Sequence, residues 1–381
     1  MPRNLQRSFG IGEIPMSLDH YVTLGKSGLR VSPLCLGSMT FGEDWGWGAS
    51  VQESERMIDR FFEKGGCFLD TANFYTFGHS EKIIGDHLGK QAAKRQRAVI
   101  ATKFFGNTQS GNPNAGGAGR KSIVSACEGS LRRLQTDYID LYWMHCWDYQ
   151  TPIEETMRTL DDLVSSGKIR YIGFSDTPAW KVAQAQMMAL FRGWAPLIAL
   201  QVEYSLLERT VEGELIPMAR ELGLGVTPWS PLKSGVLSGK YRRENHGQQQ
   251  AGRGEWVTSA LNDQKSYDVI DTLVQVAKEV SSTPARVAIA WLQSRPGVSS
   301  TIIGARNTQQ LEDNLAALDV KLSPEQLERL AQVSEPKLDF PADFLKVSAT
   351  FRSPGLTING ETAPPNPLSV KEGQKSYLDQ A

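Results

Sequence analysis

The chain has 381 residues, a formal net charge of −1 and a hydrophobic content of 40%, which is the balance of an ordinary globular protein. This near-zero charge, without a long basic block, excludes the electrostatic surface that nucleic-acid binding requires. The longest uncharged apolar stretch, 193–202, is too short to span a bilayer, and Arg3 and Arg7 precede no apolar signal sequence. We therefore expect neither a nucleic acid nor a membrane as partner.

The cysteines favour a reducing compartment. The chain has four of them, Cys35, Cys67, Cys127 and Cys146, without any CxxC spacing. Three of the four lie within apolar runs. This pattern is typical of buried free thiols and not of metal ligands. We therefore predict a cytoplasmic protein without a metal site.

The chain begins with a segment, residues 1–20, that has no periodicity and is predicted to form a loose arm. Two short apolar runs, Tyr21–Leu24 and Leu29–Val31, then flank the turn sequence Gly-Lys-Ser-Gly. Such runs around a glycine-rich turn predict a small β-hairpin.

After the hairpin, apolar runs of four to eight residues alternate with amphipathic segments of helical length. The predicted strands are Leu34–Ser38, Cys67–Asp70, Ala98–Lys103, Tyr138–His145, Ile169–Ser175, Leu197–Gln201, Gly225–Trp229 and Ser300–Ile303. Nearly continuous apolar strands separated by helices are typical of a parallel sheet that is covered on both faces. Because there are eight such units, the sequence predicts an α/β fold of the (β/α)8 TIM-barrel type over residues 21–335.

Helix starts are marked by a capping residue, a first-turn proline or both. The predicted starts are Ser50 with Glu53, Thr151-Pro152 with Glu154, Thr177-Pro178, Thr283-Pro284 and Ser323-Pro324.

Two long segments, 106–119 and 230–265, interrupt the alternation and are predicted to be loops on the C-terminal face of the barrel, where barrel enzymes place their sites. Residues 336–381 are predicted to form an irregular tail that folds back over the barrel or is partly disordered.

Three ionisable residues end three consecutive predicted strands. Asp70 ends the second strand, Lys103 the third and His145 the fourth, and Tyr75 follows on the loop after the second strand. Each residue alone is more simply explained as a structural or solvated side chain. Together they are hard to explain in this way, because ionisable groups at buried strand ends cost stability unless they are paired.

The four residues suggest a proton-transfer device. Asp70 is placed to keep Lys103 charged, and the charged Lys103 is expected to lower the pKa of Tyr75. Lowering a tyrosine pKa from about 10 to about 7 requires roughly 4 kcal/mol. Tyr75 would then act as a general acid, with His145 orienting a carbonyl oxygen. Such a set suits hydride addition to a carbonyl, for which a nicotinamide is needed because no side chain supplies hydride.

These residues resemble the catalytic tetrad of the aldo-keto reductases. The resemblance lies in FLDTANFY around Asp70 and Tyr75, ATKF at Lys103 and GSLRRLQTDYIDLYWMH ending at His145. The segments TPWSPLKSGVLSGKY and IIGARNTQQLEDN are similar to the two cofactor segments of the family. The resemblance covers residues 21–334 and points to the branch of the aryl-alcohol dehydrogenases and potassium-channel β subunits. It implies NADPH-dependent, reversible reduction of aldehydes or ketones to alcohols.

The resemblance also implies how NADPH is held without a dinucleotide-binding GxGxxG motif, which the sequence lacks after any strand. Ser175, Asp176 and Gln201 would hold the carboxamide, Trp229 would stack on the nicotinamide, and later segments would bind the pyrophosphate and adenosine. Arg306 and Lys240 favour the 2′-phosphate of NADP over NAD, although NADH stays possible. The implied cofactor residues are Met39, Thr40, Asp70, Ser175, Asp176, Gln201, Trp229, Ser230, Pro231, Leu232, Gly235, Leu237, Gly239, Lys240, Gly304, Ala305, Arg306, Gln310, Asp313 and Asn314.

One position departs from the family, which usually has Asn where this chain has Asp176. An ionised aspartate accepts hydrogen bonds but cannot donate them, and it adds a negative charge near the nicotinamide.

The substrate is expected to contact Tyr75 and His145. Three tryptophans on loops after the first and fourth strands either line the pocket or pack the barrel rim: Trp45, Trp47 and Trp147. A tryptophan-lined pocket would favour flat, apolar or aromatic carbonyl compounds.

Two other functions stay open. Lys103 at a barrel strand end could form a Schiff base in an aldolase, although such an enzyme would not need the two cofactor segments. The chain could also be a regulatory binding subunit with vestigial activity, although only about 20 residues precede the predicted hairpin. The sequence names neither the natural substrate nor the oligomeric state.

Overall fold

The computed structural model describes residues 17–243, 261 and 264–369. Most of the predicted N-terminal arm, much of the loop predicted over 230–265 and the end of the tail therefore lie outside the described residues. Within them, the predicted hairpin is confirmed as β1 (Val22–Thr23) and β2 (Arg30–Val31), which pair antiparallel. The loop at 106–119 after the third barrel strand is confirmed as well.

Eight parallel strands follow the hairpin in one sheet, as predicted, with boundaries that differ from the predicted ones by at most two residues. They are β3 (Leu34–Gly37), β4 (Phe68–Asp70), β5 (Val99–Phe104), β6 (Ile139–Met144), β7 (Ile169–Ser175), β8 (Leu197–Glu203), β9 (Gly225–Trp229) and β10 (Thr301–Gly304). Their spatial order is β10-β3-β4-β5-β6-β7-β8-β9. The ring closes where Val226 of β9 bridges Val298, just before β10. This closure confirms the (β/α)8 barrel.

The period of two along each strand decides which side chains point into the barrel. Phe68, Ala101 and Trp143 belong to one buried cluster inside the barrel, at consecutive strands. The residues two positions further along these strands are Asp70, Lys103 and His145. Strand alternation therefore places all three ionisable side chains on the interior side, at the C-terminal end of the barrel.

Twelve helices accompany the strands in the described residues, and none of them combines the length and apolar character that a membrane crossing requires. They are α1 (Val51–Glu63), α2 (His79–Ile84), α3 (Ala92–Arg97), α4 (Arg120–Leu134), α5 (Ile153–Ser165), α6 (Ala179–Arg192), α7 (Leu215–Leu222), α8 (Gln264–Glu279), α9 (Pro284–Gln293), α10 (Thr308–Leu315), α11 (Pro324–Val333) and α12 (Ala342–Arg352). Apolar helix faces pack on the outer side of the strands in the second and larger buried cluster.

The helix-start predictions are correct at three positions. Ser50, Thr283 and Ser323 accept hydrogen bonds from the third helical residue, and Ser323 forms a full capping box with Gln326. At Ser50 the predicted reciprocal box is replaced, because the Glu53 carboxylate accepts hydrogen bonds from the backbone and hydroxyl of Thr308. This contact joins α1 to α10.

Helices begin next to the predicted starts at Thr151 and Thr177, but the predicted capping role of the two threonines is wrong. Helices α5 and α6 are capped by Pro152 and Pro178, without a side-chain hydrogen bond. The threonine hydroxyls are used elsewhere, since Thr151 donates to Asp148 at 2.7 Å and Thr177 donates to the Ser175 carbonyl at 2.8 Å. These bonds stabilise the loops that precede the helices.

The prediction of an irregular tail is wrong for residues 342–352, which form helix α12, and for a short hairpin of β11 (Thr357–Ile358) and β12 (Glu361–Thr362). The tail approaches the barrel beside Gly213, near Ala342 and Leu338. Helix α12 exposes several large apolar side chains, which gave no clear helical period in the sequence. The domain boundaries at residues 20 and 335 stay predictions.

The hairpin closes the N-terminal end of the barrel. Leu24 and Val31 are fully buried in the interior cluster, with Phe68 and Leu141. Gly25 fits here because its φ is +60° and an added Cβ would lie 2.2 Å from the Ile198 carbonyl oxygen. The hairpin is therefore part of the core, at the end of the barrel opposite the ionisable residues.

We predict that Leu24→Ala lowers the free energy of unfolding by about 2–5 kcal/mol, because it removes a fully buried side chain and leaves a cavity. Urea denaturation followed by circular dichroism would measure this change. Thr23→Ala, at the neighbouring exposed position, serves as the control and should change stability by less than about 0.5 kcal/mol. Equal effects of the two substitutions would contradict the assignment of the hairpin to the core.

Candidate active site

The ends of β4, β5 and β6 bring the four predicted catalytic side chains together. The Lys103 ammonium donates to an Asp70 carboxylate oxygen, to the Thr71 carbonyl at 2.9 Å and to the Tyr75 hydroxyl at 3.4 Å. The ring centroids of Tyr75 and His145 are 5.8 Å apart. The four residues therefore form one cluster around the Tyr75 hydroxyl.

The Asp70–Lys103 pair is the buried centre of this cluster, with Lys103 fully buried and Asp70 only 3% exposed. Burial disfavours the charge on Lys103, but the Asp70 carboxylate and the Tyr75 hydroxyl outweigh it, so that the pKa of Lys103 is raised. The second Asp70 oxygen accepts from the Gln201 amide at 3.0 Å. Lys103 is thus a permanent cation in a fixed position.

The expected lowering of the Tyr75 pKa is not found. Burial of the phenol is the largest effect and raises the pKa of Tyr75 above its ordinary value, while Lys103 acts in the opposite direction. The prediction was wrong because it counted the neighbouring cation and omitted the desolvation of the phenolate. Tyr75 is consequently protonated at neutral pH, and Lys103 limits how weak an acid it becomes.

His145 is neutral in this cluster. Burial and the nearby Lys103 charge hold the pKa of His145 well below its usual range. Its ring lies against Phe74, with centroids 5.2 Å apart, and its Nδ1 is buried without a hydrogen-bond partner among the described residues. A neutral imidazole keeps one N–H donor and one acceptor, so His145 can donate to a ligand oxygen.

A cavity of about 930 Å³ opens beside the cluster at the C-terminal face of the barrel. It is large enough for a dinucleotide and a small substrate. Most of the residues predicted from the sequence line it: Met39, Thr40, Trp47, Asp70, Tyr75, His145, Ser175, Asp176, Gln201, Trp229, Ser230, Pro231, Leu232, Gly235, Lys240, Gly304, Ala305, Arg306, Gln310, Asp313 and Asn314.

Five predicted residues do not line this cavity. Lys103 lies behind Asp70 and Tyr75, Leu237 is fully buried, and Gly239 ends the short helical turn over Lys233–Ser238. Trp45 stands edge-on to Tyr75 with centroids 6.3 Å apart. Trp147 lines a separate, smaller pocket next to the main cavity.

Sequence reasoning missed several lining residues: Gly37, Ser38, Phe74, Ser234, Tyr241, Ala285, Ile289, Ile302, Ile303 and Gln309. Phe74 could have been found, because it directly precedes Tyr75 within the segment FLDTANFY. Ala285 and Ile289 could not, because they lie on helix α9, outside the two segments that resemble cofactor-binding motifs, and only the folded barrel brings that helix to the cavity.

The segment after β9 has an unusual backbone. Lys233, Ser234 and Gly235 have φ values of 45°, 54° and 91° in succession. The N–H groups of Lys233 and Gly235 donate within the segment, to the carbonyls of Ser230 and Leu232, both at 2.9 Å. These bonds hold the segment in a compact turn at the cavity wall. Lys233 fixes this segment by pairing with Glu203 at 2.7 Å.

At the far end of the cavity, Arg306 is exposed, and among the described residues no carboxylate lies within ion-pair distance of its guanidinium. The backbone N–H of Arg306 donates to the Gln310 side chain at 2.9 Å. Two of the predicted residues here are already engaged, since Asp313 pairs with Arg286 at 2.7 Å and Asn314 donates to the Gly304 carbonyl at 3.1 Å. Their part in binding a ligand is thereby restricted.

Asp176, the position that departs from the family, directly follows β7 and has a φ of 42°. Its carboxylate accepts a hydrogen bond from Trp229 Nε1 at 3.1 Å and faces the cavity. Desolvation by the surrounding protein raises the pKa of the Asp176 carboxyl to about 6. The residue nevertheless keeps part of its surface exposed to the water of the cavity. The hydroxyl of the neighbouring Ser175 is buried without a partner among the described residues.

The loop that carries Trp45 is fastened to the segment after β4. The His79 Nδ1 and Asp44 Oδ2 atoms are 2.7 Å apart, and Thr76 donates to the Phe41 carbonyl at 2.9 Å. Trp45 thereby packs on Phe77 as well as on Tyr75. This aromatic wall forms one side of the approach to the Tyr75 hydroxyl.

Comparison with known proteins shows which family this chain resembles. Residues 33–335 match the model of the aldo/keto reductase family. An oxidoreductase of Bacillus subtilis is 38% identical over 82% of this chain and 95% of its own length. An aryl-alcohol dehydrogenase of Pestalotiopsis microspora is 35% identical over 88% and 87%, and a norsolorinic acid reductase of Aspergillus flavus is 34% identical over 86% and 84%.

The chain therefore belongs to the aldo/keto reductase family. Its relatives place it near the aryl-alcohol-dehydrogenase-like branch, as the sequence motifs predicted. It is an oxidoreductase with a barrel fold, and its cavity lies where barrel enzymes bind small molecules.

We predict that His145 stays neutral as the pH falls through 6.5, its ordinary pKa. Because the unfolded chain takes up this proton and the folded protein resists it, the stability contributed at His145 is present above pH 6.5 and is lost as the pH falls toward the folded-state pKa. NMR of ¹⁵N-histidine-labelled protein, assigned with His145→Gln, would measure the protonation.

Urea denaturation at pH 8 and pH 5.5 gives the corresponding stability measurement. Wild-type protein should lose more stability on acidification than His145→Gln, which cannot take up the proton. His20→Gln, at an exposed position away from the cavity, is the matched control and should behave as wild type. A His145 that titrates at or above its ordinary pKa would contradict this account.

Proposed function

We propose that the protein reduces aldehydes or ketones to alcohols with NADPH, reversibly, with Tyr75 as general acid. The observation that carries the proposal is the Tyr75 hydroxyl, which lies 3.4 Å from the Lys103 ammonium and beside His145 at the wall of the cavity. A protonated phenol, a fixed cation and a neutral imidazole donor are the groups that a carbonyl oxygen needs as it gains negative charge.

The donor set of the cavity fits a nicotinamide dinucleotide. The unpartnered Ser175 hydroxyl and Gln201 suit the carboxamide, and the Lys240 ammonium, which lies beside Gly235 at the cavity wall, suits the pyrophosphate. Arg306 lines the cavity without a carboxylate partner among the described residues, and a cation in this position suits a 2′-phosphate. These features favour NADPH, with NADH as the weaker ligand.

The chain's own residues divide the work. A bound nicotinamide would supply the hydride to the carbonyl carbon. His145 donates to the carbonyl oxygen and orients it, and Tyr75 transfers its hydroxyl proton to that oxygen as negative charge develops there. Lys103 stabilises the resulting phenolate, while Asp70 and Gln201 keep Lys103 charged and in place. Trp45 and Phe74 exclude water from one side of the reacting centre.

Lys103 is poorly suited to the alternative aldolase chemistry. A Schiff-base lysine must be a neutral amine that reaches the substrate. Here the pKa of Lys103 is raised, because its partners outweigh the effect of burial, and the side chain is fully buried behind Tyr75. No observation in the described residues favours the regulatory-subunit reading over an enzyme.

An aromatic substrate is the class that the cavity supports best. The approach to Tyr75 is lined by aromatic rings, with Trp45 in contact with both Phe74 and Phe77. The names of two relatives, an aryl-alcohol dehydrogenase and a norsolorinic acid reductase, agree with this class. We propose flat aromatic aldehydes or ketones, reduced in the cytoplasm.

We predict that Tyr75→Phe lowers kcat for an aromatic aldehyde by about 10²–10⁴-fold, because it removes the proton donor, and leaves the Kd for NADPH within about threefold. Steady-state oxidation of NADPH and its fluorescence titration would measure the two quantities. Tyr138→Phe is the matched control, since Tyr138 lies at the opposite end of β6. Wild-type turnover in Tyr75→Phe would refute the proposed acid.

We predict that Arg306→Ala weakens NADPH binding roughly tenfold while NADH binding changes by less than about twofold, because only NADPH carries the 2′-phosphate. Fluorescence titration of both cofactors would test this. Arg192→Ala removes an arginine at an exposed position of helix α6 and should change neither Kd. An equal loss for both cofactors would show that Arg306 does not read the phosphate.

A further inference from the structure

Of the acidic side chains that line the cavity in the described part of the chain, only Asp176 has a charge that is neither neutralised nor required by the mechanism above. Among the described residues, Asp70 pairs with Lys103 and Asp313 with Arg286, whereas no lysine or arginine lies within ion-pair distance of Asp176. Trp229 Nε1 holds one carboxylate oxygen at 3.1 Å and so fixes its direction. A carboxylate held in this way offers a cation a preorganised counter-charge.

The charged and titratable groups around Asp176 come from each neighbouring element. Lys103 of β5 favours the ionised form weakly, because its charge is already shared with Asp70. Glu203 of β8 opposes ionisation, although it pairs with Lys233. Tyr75 and Cys146 face Asp176 from the loops after β4 and β6, and burial raises the pKa of the Cys146 thiol, so it is neutral near pH 7. The site therefore has a deficit of positive charge.

We propose that Asp176 is the counter-charge for the oxidised, positively charged nicotinamide, so that the protein binds NADP⁺ in preference to NADPH and favours hydride donation. This inference rests on the proposed function, in which Ser175 and Gln201 hold the nicotinamide carboxamide, because Asp176 directly follows Ser175 and lines the same cavity. It assigns to Asp176 a role that an uncharged asparagine at this position could not fill.

The balance of the reaction explains why the charge matters. Two electrons and a proton move as hydride to the carbonyl carbon, Tyr75 gives its proton to the oxygen, and a positive charge develops beside Asp176. A fixed carboxylate stabilises that charge in the transition state, and it acts more strongly once a ligand has displaced the water of the cavity. The dihydronicotinamide of NADPH is neutral and gains nothing from it.

A hydrogen bond from the carboxamide to Asp176 is the competing explanation. The carboxamide is the same in both cofactor forms, so this bond would strengthen NADP⁺ and NADPH equally. A counter-charge strengthens only the oxidised form. The ratio of the two dissociation constants therefore distinguishes the explanations.

The test is Asp176→Asn, which keeps the shape of the side chain and removes its charge. Isothermal titration at pH 8 would give Kd for NADP⁺ and for NADPH. We expect the ratio of Kd for NADP⁺ to Kd for NADPH to rise roughly tenfold in the variant, as for a single charge at short range. Glu154→Gln, an exposed carboxylate in the first turn of helix α5, controls for the general loss of charge and should leave the ratio unchanged.

The pH dependence of the wild-type ratio gives a second readout. Because the pKa of Asp176 is raised to about 6, its carboxylate is ionised at pH 8 and largely protonated at pH 5. The preference for NADP⁺ should therefore increase as the pH rises through about 6 and be absent throughout in Asp176→Asn. Titration of the 2′-phosphate cancels in the ratio, since both forms carry it.

Each outcome has one meaning. A raised ratio that loses its pH dependence in Asp176→Asn supports the counter-charge. Equal weakening of both forms, or an unchanged ratio, overturns it while leaving the proposed cofactor in place. A wild-type protein that binds neither form overturns the proposed function itself.

Discussion

The Asp70–Lys103 ion pair is the constraint on which the rest of the site depends. Lys103 is fully buried, and its charge persists only because Asp70, the Thr71 carbonyl and the Tyr75 hydroxyl surround it. Removing one partner of a buried pair typically costs about 3–5 kcal/mol, since the other charge is left uncompensated. The buried pair therefore gives the barrel a fixed cation next to the Tyr75 hydroxyl.

Strand alternation explains why the sequence predicted this cluster so well. Once β4, β5 and β6 are adjacent and parallel, residues two positions beyond the interior Phe68, Ala101 and Trp143 must share the same interior end. The apolar runs fixed the strands, and the polar residues that end them marked the site. Helix starts at Ser50, Thr283 and Ser323 were predicted for an equally local reason, because a side chain caps its own helix.

The predictions that proved wrong concern effects that depend on parts of the chain distant in sequence. Thr151 and Thr177 have capping sequences, but their hydroxyls bond to a loop aspartate and to a strand carbonyl that only the fold brings near. The pKa of Tyr75 was predicted to fall, whereas its burial raises it, and burial is a property of the packed barrel. Helix α9 contributes to the cavity wall, although its capping sequence marks only the start of a helix and not a binding site. Sequence patterns thus identified which ionisable side chains the fold brings together, but not the desolvation that changes their pKa values.

The central claim is that the buried Lys103 charge enables proton transfer from Tyr75, and Lys103→Met tests it most directly because it keeps the volume and removes the charge. The measurement is the single-turnover rate at which the protein, mixed with NADPH and an aromatic aldehyde, oxidises the cofactor at pH 7. The account predicts a loss of at least about 100-fold with a Kd for NADPH within about threefold of wild type. A folded Lys103→Met protein that reduces the aldehyde at the wild-type rate would contradict it.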